Sequence, residues 1–125
     1  MKTSVKLISL AAFAIISFSA SAQEGEPWIH DPSTIMECDG KYYTFGTGGG
    51  GLISEDGWNW YHGAVRPGRG AAPDAMKIGD RYLVAYSSTG GGLGGGHAGT
   101  VLTMWNRTLD PESPDFAYTE SVEVA

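Results

Sequence analysis

Cysteine is nearly absent from this chain of 125 residues, where Cys38 stands alone. A single thiol excludes an intramolecular disulfide and any zinc site built on cysteine pairs, and it is expected to serve as a small buried hydrophobe. Basic residues are also scarce: eight Lys and Arg face 14 Asp and Glu, for a net charge of −6. Nucleic acids and anionic membranes select clustered Lys and Arg, so neither is an expected partner, whereas a neutral polysaccharide or oligosaccharide suits this balance. No apolar run reaches the ~18 residues of a membrane-spanning helix. The longest, residues 7–18, follows Lys2 and Lys6 and precedes Ala20-Ser21-Ala22. That order of basic, apolar and small residues is the pattern of an export signal. Residues 1–22 are expected to be cleaved on passage to a secreted or periplasmic location, leaving residues 23–125 with a net charge of −8 and no membrane association.

Long stretches of helix formers are missing too. What is abundant is glycine, with 19 residues, beside six Tyr and four Trp. This composition reads as all-β, with short strands, tight turns and exposed aromatic platforms. Two units repeat at about 40 residues, a period typical of propeller blades. The first carries His30-Asp31-Pro32-Ser33 and then Gly40-Lys41-Tyr42-Tyr43-Thr44-Phe45-Gly46; the second carries Ala72-Pro73-Asp74-Ala75 and then Gly79-Asp80-Arg81-Tyr82-Leu83-Val84-Ala85-Tyr86-Ser87. Each sets a carboxylate ahead of a glycine-containing turn and an aromatic strand. Equivalent positions arranged about an axis would converge, and two carboxylates facing one cavity is glycosidase chemistry.

In the first unit, strands are expected at 33–36 and 41–45 around the Glu37-Cys38-Asp39-Gly40 turn, where Asp-Gly is a hairpin signal. A third is expected near 52–54, and Trp58-Asn59-Trp60-Tyr61 as a fourth strand or its flanking loop. The second unit predicts strands at 75–78, 82–87 and 100–105, a glycine-rich loop at 90–99, a turn-rich stretch at 106–114, and a further segment at 116–119. Residues 121–125 resemble the start of another strand. That amounts to two blades and the edge of a third, too few to close a ring.

Taken in order, His30-Asp31-Pro32-Ser33, Tyr42-Tyr43-Thr44-Phe45-Gly46-Thr47-Gly48, Ser54-Glu55-Asp56-Gly57-Trp58-Asn59-Trp60 and Ala72-Pro73-Asp74 resemble the N-terminal part of family 43 glycoside hydrolases, in particular their arabinan endo-1,5-α-L-arabinosidase branch. The resemblance implies a five-bladed β-propeller, of which residues 23–125 supply about two blades. It also implies inverting hydrolysis of arabinose-containing polysaccharide, with an Asp as general base, a second Asp tuning the acid, and a Glu as general acid. Asp31 matches the general base. The other two carboxylates of the family come from later blades, so the chain is expected to lack the general acid. No cofactor is required; a calcium ion in the complete propeller is plausible by resemblance, with no ligand set visible in the sequence. A non-catalytic carbohydrate-binding propeller is the alternative. A sialidase is a more distant one, because the Asp-box-like segment at Ser54 to Trp60 occurs once and no arginine cluster accompanies it.

Other residues read two ways. Asp31 before Pro32 can serve as a turn former, and His30 can contact substrate or be structural. Asp74 is expected to line the cavity as a substrate contact, and Trp28 to line a subsite. Trp58 and Trp60 would alternate on a strand, one packed and one outward. The glycine-rich loop containing Gly92 has no Gly-Lys-Ser/Thr ending, which excludes a P-loop. It is either a close backbone approach to a sugar at the cavity rim or a linker, and His97 in it could contact substrate.

Overall fold

The computed structural model describes residues 22–88 and 99–125. The expected export signal, apart from residue 22, and the loop segment with Gly92 and His97 lie outside the described residues.

Eight strands follow in order: β1 (Met36–Cys38), β2 (Lys41–Phe45), β3 (Gly51–Ser54), β4 (Tyr61–Ala64), β5 (Ala71–Ile78), β6 (Arg81–Ser87), β7 (Val101–Asn106) and β8 (Val122–Glu123). They form two antiparallel four-stranded sheets, β1-β2-β3-β4 and β5-β6-β7-β8, each a simple meander. This is the arrangement of two propeller blades. Asp39 and Gly40 both take positive φ, 52° and 79°, as a two-residue hairpin turn demands, and Cys38 pairs with Lys41 across it. Gly79-Asp80 does the same work between β5 and β6, where Ile78 pairs with Arg81.

Period-two alternation sets the packing. In β6, Tyr82, Val84 and Tyr86 are buried while their neighbours are not. They join Tyr43, Phe45, Met104 and Leu109 in one core shared by both sheets. Burying each large side chain contributes about 1.5–3 kcal/mol, so this core is the principal bond between the blades. Polar ties reinforce it: the Tyr82 hydroxyl donates to the Glu37 carbonyl at 2.9 Å, and the Leu109 N–H meets Cys38 Sγ at 3.3 Å. Burial pushes the Tyr82 hydroxyl pKa up, and that of Tyr43 up to about 12. Cys38 is the buried hydrophobe that its isolation suggested.

Three elements depart from expectation. The first strand starts at Met36 and not at residue 33, because the Ser33 hydroxyl takes the Phe45 N–H at 2.9 Å in place of a backbone acceptor, although the Ser33 N–H still reaches the Phe45 carbonyl. The fourth strand starts at Tyr61, since Asp56 Oδ1 accepts the N–H groups of both Trp58 and Asn59 and holds them in a turn. The segment at residues 121–125, read as the edge of a third blade, contains β8, which pairs with β7 to complete the second sheet.

Candidate active site

Where β2 ends, Gly46 lets two chain segments touch. A Cβ there would lie 2.8 Å from Ile29 Cγ1 and 3.2 Å from the His30 carbonyl oxygen, so only glycine lets residues 29 and 30 lie against the strand end. The next residue, Thr47, donates its N–H to the His30 carbonyl at 2.9 Å. Its hydroxyl donates to Asp31 Oδ2 at 3.0 Å, and His30 Nδ1 sits 3.0 Å from that same oxygen. Both contacts fall on Oδ2; Oδ1 has no hydrogen-bond partner among the described residues. The Asp31 side chain is 51% exposed.

The backbone here is strained. Asp31 has φ 47°, a left-handed conformation that non-glycine residues seldom adopt, and it directly precedes Pro32, which restricts its geometry further. Such conformations persist where surrounding bonds fix them, and they cluster at functional sites.

Asp74 lies on β5 and is engaged differently. Its Oδ1 accepts the Thr34 N–H at 3.0 Å and the Ala75 N–H at 2.9 Å. These bonds, the one from Thr34 foremost, hold its carboxyl below the usual carboxylate pKa. Asp74 therefore joins the entry of the first sheet to the innermost strand of the second, a role the cavity-lining expectation did not include.

Trp28 is 84% exposed, as a sugar-stacking platform must be. With His30, Gly46, Thr47 and His62 it borders a shallow pocket of about 170 Å³ beside Asp31. His62, with Nε2 3.9 Å from Glu26 Oε2, carried no signal in the sequence. Neither did Arg66, which is 4% exposed, donates from Nη2 to the Gly46 carbonyl at 3.1 Å, and lies over the Tyr86 ring at 4.5 Å. Burial lowers its pKa. Arg66 thus braces from below the glycine that precedes Thr47.

The Asp-box-like segment builds a turn. Asp56 takes two backbone N–H groups on Oδ1 and the Asn59 side-chain amide on Oδ2, which drives its pKa down to about 2. Trp58 projects from this turn largely exposed, while Trp60 is half-buried and carries the N-terminal segment through the bond from the Glu26 N–H to its carbonyl. No group of three His, Cys, Asp or Glu converges on a metal position among the described residues. No helix among them is long and apolar enough to cross a membrane.

Chemically, a carboxylate with one oxygen held and the other open can orient a water and take its proton.

No protein-family model matches the sequence. The chain is 32% identical over 103 residues to a probable arabinan endo-1,5-α-L-arabinosidase A of Aspergillus flavus, a match that covers 70% of this chain and 32% of that protein. Among solved structures it resembles an exo-1,5-α-L-arabinanase from a bovine ruminal metagenomic library, with a TM-score of 0.66 and 30% identity over 78% of this chain and 37% of that one. It shares the fold of the GH43 endo-arabinanase from Bacillus licheniformis, with a TM-score of 0.64 and 23% identity over 82% of this chain and 39% of the other. The chain spans about a third of the length of the curated relatives it matches.

Proposed function

On the premise that this chain is arabinanase-like, of the family 43 kind, in sequence and in fold, we propose that the protein is an inverting glycoside hydrolase acting on arabinose-containing polysaccharide. Asp31 is its general base. One observation carries the assignment: the half-exposed Asp31 is held in a strained left-handed backbone with Oδ2 bonded to Thr47 and Oδ1 without a partner among the described residues.

Inversion requires a base that activates water on the face opposite the leaving group, with roughly 6.5–9.5 Å between the two carboxyl groups to admit that water. Asp31 Oδ1 removes the water proton as its oxygen attacks the anomeric carbon, while an acid on the far side protonates the departing oxygen. No residue of this chain is assigned as that acid. Exposed Trp28 suits stacking on a sugar face, and His30 is placed to hydrogen-bond a ring hydroxyl at the pocket edge. The export signal in the sequence suits a polymer substrate that lies outside the cell, which supports a secreted or periplasmic protein.

The test is product stereochemistry. Linear 1,5-α-arabinan is digested with the complete propeller that includes this chain, and the first-formed reducing ends are followed by proton NMR. The β-anomer appearing first supports the reading; the α-anomer appearing first would make Asp31 something other than the base of an inverting reaction. Oligosaccharide binding without any cleavage would favour the carbohydrate-binding alternative.

A further inference from the structure

Thr47 stands at a junction that neither the sequence motifs nor the general-base assignment explains. Its single hydroxyl joins the segment before the first sheet to the second sheet: it donates to Asp31 Oδ2 at 3.0 Å and accepts the N–H of Ala72, on β5, at 2.9 Å. The hydroxyl has one proton. With Ala72 acting as donor on one side, that proton is directed toward the carboxylate. The adjacent backbone is fixed as well, through Thr47 N–H to the His30 carbonyl at 2.9 Å and Gly48 N–H to the Gly70 carbonyl at 2.7 Å. The residues joined by the hydroxyl, Asp31 and Ala72, are both in left-handed backbone before a proline.

We propose that Thr47 is the positioning residue of Asp31: it shares Oδ2 with His30 Nδ1, which lies 3.0 Å from that oxygen on an exposed side chain, but only the Thr47 hydroxyl is fixed from the other side, so that it selects one rotamer, leaves Oδ1 as the oxygen that faces water, and makes that geometry depend on the docking of the second sheet. A two-sided tether explains how a half-exposed carboxylate keeps one orientation without burial. It also gives the Ala72 turn a part in the chemistry, although Ala72 has no reactive group. This inference rests on the reading of Asp31 as the base, and its test separates the two.

Thr47→Val keeps the shape and removes the hydroxyl; Thr47→Ser keeps the hydroxyl; Thr47→Ala replaces the valine variant should that one not fold. Two readouts need no turnover. Three-bond couplings to the Asp31 carboxyl carbon report its χ1 rotamer, and hydrogen exchange reports the Ala72 amide. The expected result is rotamer averaging at Asp31 and roughly fivefold faster exchange at Ala72 in Thr47→Val, as for a hydrogen bond worth about 1 kcal/mol, with wild-type values restored in Thr47→Ser. In hydrolysis of arabino-oligosaccharides, kcat falls on the order of tenfold to a hundredfold in Thr47→Val while KM stays within about twofold, because the loss is one of orientation. A single, wild-type Asp31 rotamer in Thr47→Val overturns the proposal. So does an unchanged kcat in Thr47→Val when Asp31→Ala has lost turnover, an outcome that leaves the general base standing. Turnover surviving in Asp31→Ala removes the base assignment instead, and the couplings still decide whether Thr47 orients the side chain.

Discussion

Asp31, ahead of the first sheet, and Ala72, at the start of the second, share a backbone conformation: each takes a positive φ, 47° and 46°, immediately before a proline. The repeat therefore equates Asp31 with Ala72 and Ser33 with Asp74. The two carboxylates are not copies of one position, and they do different things. Asp31 has one oxygen without a partner among the described residues, whereas Asp74 accepts the backbone N–H groups of Thr34, ahead of the first sheet, and of Ala75, in the second.

The strain at Ala72 leads to a stability prediction. Left-handed backbone costs an L-residue roughly 1–2 kcal/mol, and glycine escapes it at an entropic cost of about 0.5–1 kcal/mol. Ala72 is exposed, so losing its methyl removes little packing. Ala72→Gly should stabilise the protein by about 0.5–1 kcal/mol, seen as a rise in Tm. A drop would mean that the turn is held by something other than the bonds described.

Asp74→Ala should destabilise by roughly 1–2 kcal/mol, since two N–H groups lose a charged acceptor at a partly solvated position. The folded carboxyl titrates below its ordinary value of 3.8, so the unfolded chain takes up the proton first as pH falls. Its contribution is complete above that value and is lost as pH drops through the lower folded pKa. Denaturation midpoints of wild type and Asp74→Ala should then converge in strong acid and separate by pH 6. A gap of constant size at all pH values would exclude the clamp.

Asp56 makes a similar prediction with a defined window. Its pKa is lowered to about 2 from 3.8, so the turn it organises should weaken as pH falls from about 4 to 2. In Asp56→Ala, hydrogen exchange at the Trp58 and Asn59 amides should be fast at every pH. In wild type, protection beyond the intrinsic pH dependence should disappear across that interval. Protection retained below pH 2 would show that other bonds hold the turn.

The sequence made the hairpins legible because their chemistry is local. Asp39-Gly40 supplies the two positive φ angles that its turn needs, and Tyr82, Val84 and Tyr86 alternate as a strand with one buried face must. It misled where a side chain replaced a ladder partner: Trp58, Asn59 and Trp60 have strand-like alternation, yet Asp56 takes the amides first. Residues 121–125 read as the edge of a third blade because sequence order alone cannot say which neighbour a terminal strand pairs with. Asp31 stood out in the sequence through its motif. Thr47 lay inside a quoted motif without a role, since its importance arises from Ala72, 25 positions away and on the other sheet. Arg66 gave no signal, because a lone arginine is ordinarily exposed and nothing local announces that Gly46 and Tyr86 will enclose it.

The assignment of Asp31 is tested most directly by Asp31→Ala. Its side chain is half exposed but accepts the Thr47 hydroxyl, so this variant of the complete propeller should stay folded, with a loss of about 0.5–1.5 kcal/mol, the worth of that hydrogen bond. It should bind arabino-oligosaccharide with near-normal affinity, and its rate of arabinan hydrolysis should fall by roughly 10²–10⁴, the share of a rate that a general base supplies. A folded Asp31→Ala protein that hydrolyses arabinan at close to the wild-type rate would contradict the account.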